Sequence, residues 1–173
     1  MRSGKVKRLA VCSLLSALGV VILCLGRFID VLDASMAVLA SLTCVVAVIE
    51  YGRASPWLVF AVTSVLSLIL QPDNSAAWMY LLFFGFYPIL KEKLERLGRV
   101  LSWVLKEAVF NVSLAVIAVV TKFLLMPEAD SEPWWMYLIL IVLAETAFVL
   151  YDIVLTRVIS FYIFKLRDRL KLK

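Results

Sequence analysis

The 173-residue sequence predicts an all-α integral membrane protein, a six-transmembrane-helix bundle with a cytoplasmic amphipathic segment between helices 4 and 5. Three observations predict it. Runs rich in Leu, Val, Ile, Ala and Phe recur at close to the roughly 17 to 25 residues a helix needs to cross a bilayer. The connections between them alternate between basic and acidic. The composition, 64% hydrophobic with a mean hydropathy of +0.98, lies far above the roughly 45 to 50% apolar content of globular domains.

The first run, Leu9 to Ile29, follows Arg2, Lys5, Lys7 and Arg8. A basic start before an apolar stretch also marks a secretory signal, but this stretch outlasts a typical h-region and runs into Arg27, not a small-residue cleavage site, so it reads as a permanent helix. The second run, Ala34 to Ile49, leads into Glu50, Tyr51, Gly52 and Arg53. The third is Pro56 to Leu70, closed by a tight turn at Pro72, Asp73 and Asn74. The fourth is Ala76 to Leu90, where Pro88 is expected to kink or end the helix.

From Lys91 to Glu107 the pattern changes. Leu94, Leu97, Leu101, Val104 and Leu105 recur at helical spacing among Lys91, Glu92, Glu95, Arg96, Arg99 and Lys106, which reads as an amphipathic helix on the cytoplasmic face or an inward extension of the fifth helix. The fifth run is Ala108 to Met126 and the sixth Trp134 to Leu155. Trp134, Trp135 and Tyr137 suit one membrane interface, and Phe161, Tyr162 and Phe164 the other.

Charge sets the orientation. Sixteen of the 18 basic residues fall before the first run, after the second, after the fourth and at the end of the chain; Asp30, Asp33, Asp73, Glu128, Asp130 and Glu132 occupy the other connections. Basic residues are held on the cytoplasmic side, so both termini are expected there, in the cell (inner) membrane, with residues 1–173 forming a single transmembrane domain. The net charge of +5 then reflects topology and attraction to lipid headgroups, not nucleic-acid binding.

Several chemistries are excluded by residue type. Without histidine the chain offers no His-dependent metal site and no Ser/His or Cys/His nucleophile, and it carries no Gly-rich phosphate loop. Neither a cofactor, a resident metal nor an enzymatic activity is expected. Cys12, Cys24 and Cys44 all fall inside helices, where they act as small apolar packing residues. The sequon at Asn111 to Ser113 lies within a helix near the cytoplasmic side and reads as chance.

Charges at membrane depth are costly and are the functional candidates. Glu145 lies three turns into the last run, roughly 16 Å below its Trp134 end at about 1.5 Å per residue, near the midplane. Asp152 stands two turns further on, placed for an ion pair with a basic residue such as Lys106. Arg27 and Lys122 are the two basic residues of the outer half. Convergence of Arg27, Lys122 and Glu145 would make a ligand-binding pocket open to the outside, suited to an anionic or zwitterionic small molecule.

Ala10, Ser13, Ser16 and Ala17 form a small-residue stripe on the first helix, spaced for close helix approach. With this stripe, six helices, cytoplasmic termini and no nucleotide motif, the chain resembles the substrate-binding S component of an energy-coupling factor (ECF) transporter. The resemblance implies an outward-facing ligand pocket, a coupling subunit docked on the stripe and a separate ATPase, together taking up a small micronutrient-like molecule. The alternative is a non-transporting accessory or scaffold subunit of a cell-envelope complex. In such a protein Glu145 pairs with another helix and no pocket is needed.

Overall fold

The computed structural model describes residues 2–27, 32–52, 54–125 and 133–166. These are helical almost throughout, with no strand among them. The chain divides into two compact units, Met1–Leu125 and Met126–Lys173. Asp30, Arg53, Glu128, Asp130, Glu132 and the basic tail from Arg167 onward lie outside the described residues.

The first unit opens with α1 (Arg2–Gly26), α2 (Asp33–Tyr51) and α3 (Ser55–Leu70). α2 is the central helix, packed against both others, and its inward positions are small: Ala37, Ala40, Cys44 and Ala47 are fully buried. Small side chains let backbones approach, which is how helices gain packing contacts where lipid removes the hydrophobic drive for association. Gly19 of α1 marks the closest approach. A Cβ there would meet Thr63 Cγ2 at 3.0 Å and Thr43 Oγ1 at 3.2 Å.

Both turns of this hairpin series have visible causes. Gly52, at φ +49°, takes a left-handed conformation that ends α2, and its N–H donates to the carbonyls of Ala47 and Val48. Asn74 builds the turn predicted after α3. Its side-chain oxygen accepts from Ala76 N at 2.9 Å, capping the next helix, while Nδ2 donates to the Leu23 carbonyl at 2.9 Å and so ties the turn to α1.

The fourth apolar run is not one helix. It divides into α4 (Ser75–Met79), a π-helical stretch at Tyr80–Phe84, and α5 (Tyr87–Leu94). Gly85 lies at the break, where a Cβ would stand 2.6 Å from Phe60 Cδ2 and 2.8 Å from the Tyr80 carbonyl oxygen. Pro88 sits in the first turn of α5, a position that loses no hydrogen bond to its missing N–H. It therefore restarts the helix after the break.

The Lys91 to Glu107 segment is likewise divided, which corrects the single amphipathic helix expected from its spacing. α5 ends at Leu94, a turn follows, and α6 (Arg99–Val120) begins after Gly98, continuing as a π-helical turn at Thr121–Leu125. Burial within α6 does not follow hydropathy. Leu101 and Val104 are 52% and 59% exposed, while Ser102, Lys106 and Ser113 point inward. In lipid the apolar side of a helix can face outward, and the polar side needs the protein.

The second unit contains α7 (Trp134–Phe161), extended by a π-helical turn at Tyr162–Leu166. Trp134, Phe161 and Phe164 are exposed, as interfacial anchors require, whereas Tyr162 is buried.

Among the described residues four helices are long and apolar enough to cross a membrane: Lys5–Gly26, Asp33–Tyr51, Arg99–Leu124 and Trp134–Lys165. α3 is apolar but, at 16 residues, spans about 24 Å of a hydrocarbon core about 30 Å thick. The described residues thus form an all-helical membrane protein with four candidate spans, one shorter apolar helix and one interrupted one.

Candidate functional site

Consecutive helices of the first unit run antiparallel, so the charges sort to its two ends. Arg8 of α1 meets the end of α2, its guanidinium carbon 6.0 Å from the Tyr51 ring centre, and the start of α3, where its Nε donates to Ser55 Oγ. The same end holds the turn from α5 to α6. Lys91 and Lys106 are there almost wholly buried, and both reach Glu95, at 2.8 Å and 3.3 Å. Lys106 Nζ also stands 5.5 Å from the Trp103 ring centre. A carboxylate shared by a lysine from each side of the turn fixes that turn.

A groove of about 560 Å³ opens between α1 and α3 from this basic end. Lys5 and Arg8 stand at its mouth, and Leu9, Leu58, Val62 and Leu66 line its length. Three of the four small-stripe residues line it too: Ser13, Ser16 and Ala17. Ser16 is buried, and its carbonyl oxygen accepts from Thr63 Oγ1 at 3.4 Å, whereas Ala10, Ser13 and Ala17 remain exposed. Part of the stripe is therefore used in packing α1 on α3.

The interior between α2 and the π-helical stretch carries a polar contact that the sequence pattern did not point to. Tyr80 is fully buried with its hydroxyl 3.1 Å from Cys44 Sγ. Nothing in a run of apolar and aromatic residues distinguishes an inward phenol from a lipid-facing one. The burial of Lys91 was missed for a related reason: the amphipathic pattern places that lysine on a polar face, which reads as solvated. The spacing of Lys91 and Glu95, one helical turn, was the available signal.

The three residues expected to bind ligand have different environments. Arg27 is exposed in the turn that follows α1, and Lys122 is exposed in the π-helical end of α6. Glu145 is half-buried in the middle of α7, and its Oε2 is buried with no hydrogen-bond partner among the described residues. Arg27 and Lys122 belong to the first unit and Glu145 to the second. Asp152 is buried on α7, and Lys106 pairs with Glu95. Among the described residues no group of three or more Cys, Asp and Glu is placed to hold a metal ion.

Comparison with protein-family models, with curated proteins and with solved structures gives no match.

Proposed function

We propose that this chain is the membrane-embedded substrate-binding subunit of an uptake system, taking a small micronutrient-like molecule and working with a separate coupling and ATPase module. The proposal includes six crossings, with the interrupted run α4 to α5 and the short α3 each counted once, and both termini on the cytoplasmic face of the cell membrane. The observation that supports it is the buried, unpartnered Oε2 of Glu145.

A carboxylate in the middle of an apolar helix carries a cost of several kcal/mol unless it is protonated, paired or hydrated. Glu145 has one oxygen left without a partner, which is an acceptor for a ligand bearing an ammonium or hydroxyl group. Arg27 and Lys122 are exposed near the far ends of their helices. A second reading, an accessory or scaffold subunit, is favoured by that same exposure, since both cations can serve simply as interfacial anchors. In that case a partner protein satisfies Glu145.

Purification in mild detergent, followed by mass spectrometry of retained small molecules and co-purifying proteins, separates the two. The uptake reading predicts a stoichiometric small molecule together with an ATPase-bearing complex. A complex of envelope proteins with no small molecule would favour the scaffold.

A further inference from the structure

The groove between α1 and α3 has one polar end and an apolar length, the shape of an amphiphile. We propose that it holds an anionic phospholipid, with the headgroup on Lys5 and Arg8 and one acyl chain lying along Ser13, Ser16, Ala17, Val62 and Leu66. The inference goes beyond the uptake reading and does not depend on it.

Charge carries the first part of the argument. Both cations of the groove stand at its mouth, while the rest of the lining is apolar or bears only hydroxyl groups and a thiol. Arg8 is held in place: its Nε is bonded to the buried Ser55, and the guanidinium lies near the Tyr51 ring. A guanidinium so oriented presents planar donors to a phosphate, and Lys5, one turn further out, adds a second cation. Basic pockets at the ends of transmembrane helices select anionic headgroups on this basis.

Dimensions carry the second part. From Arg8 to Ala17 the helix rises about 14 Å at about 1.5 Å per residue. One leaflet of the hydrocarbon core is about 15 Å deep, half of about 30 Å, so a chain entering at Arg8 ends at about the depth of Ala17. The volume of about 560 Å³ is that of a site for a small molecule. The α3 wall opposes a helix. Leu58, Val62 and Leu66 stand 53%, 42% and 43% exposed along it, so the small residues of α1 face ridges and not a second small-residue surface.

The test places the purified full chain in phosphatidylcholine vesicles containing a minority of phosphatidylglycerol with a photoactivatable acyl chain. Crosslinks should concentrate in the peptides of α1 and α3, and the same label on phosphatidylcholine should give several-fold less. Lys5 is exposed, so Lys5→Gln leaves folding intact and should lower the preference about fivefold; Arg8→Gln should lower it by a similar factor, with Arg8→Lys retaining most of it. Ala17→Phe should expel the chain while the melting temperature holds. Equal labelling by both lipids, or labelling insensitive to Lys5→Gln, overturns the proposal. So does protection of α1 and α3 by a co-purifying protein, which would make a partner helix the occupant.

Discussion

Gly85 directs the path of the fourth apolar run, because any side chain there would meet the Phe60 ring at 2.6 Å and the Tyr80 carbonyl at 2.8 Å. The second contact is with backbone and cannot be relieved by a rotamer change. Gly85→Ala should therefore cost about 1 to 3 kcal/mol, read as a lower melting temperature in detergent, and an unchanged melting temperature would contradict this packing. Asn74 acts at the opposite end of the unit by capping α4 and bonding the Leu23 carbonyl. Asn74→Ala should cost about 1 to 2 kcal/mol in the same assay, whereas Asn74→Asp, which keeps the cap but loses the Nδ2 donor, should cost less. Equal losses for Asp and Ala would show that the donor, and not the cap, matters. Of these two positions the sequence disclosed Asn74, through the Pro-Asp-Asn turn. Gly85 is one glycine in an apolar run, and only the neighbouring Phe60 and Tyr80 give it a role.

At the scale of elements, the α5 to α6 turn shows why periodicity misled. Leu94, Leu97 and Leu101 keep a helical spacing straight across a break at Glu95–Gly98, so the pattern alone continues a helix that the chain interrupts. Gly98 was the visible sign. Burial in α6 also departs from hydropathy, since Leu101 is exposed and Lys106 is buried. Glu95 fastens the turn through Lys91 and Lys106. Removing the carboxylate of a fully buried pair costs about 3 to 5 kcal/mol, but Glu95 is 44% exposed and water compensates part of that. We expect Glu95→Gln to cost about 1 to 2 kcal/mol and to raise hydrogen exchange at the start of α6. Exchange that rises evenly over the whole chain would mean that Glu95 contributes to general stability and not to this turn.

For the whole molecule, composition and charge alternation made the membrane class legible, because lipid demands long apolar helices and leaves few ways to hide them. The number of crossings was less legible. Length thresholds admit four spans, while α3 is short and α4 to α5 is interrupted, so the count depends on helices whose ends must be located directly. The proposed six crossings predict that single cysteines introduced at Asp73 and at Arg96, in a background without Cys12, Cys24 and Cys44, are labelled from opposite sides of the membrane. Labelling of both from the same side would remove a crossing and with it the proposed topology. The ligand-binding set was the least legible part: Glu145 is recognisable from its depth, but Arg27 and Lys122 were joined to it by charge sign and half-membrane alone.

The central claim is that Glu145 binds a small molecule, and the measurement that tests it most directly compares wild type with Glu145→Gln for retained small molecule and for melting temperature. The substitution preserves shape and removes the charge. If the carboxylate serves a ligand, the variant should fold with nearly unchanged stability and lose the molecule that the wild type retains. If it serves an ion pair with a partner helix, the variant should be destabilised by about 3 to 5 kcal/mol with no small molecule restoring it, and that result would contradict the claim.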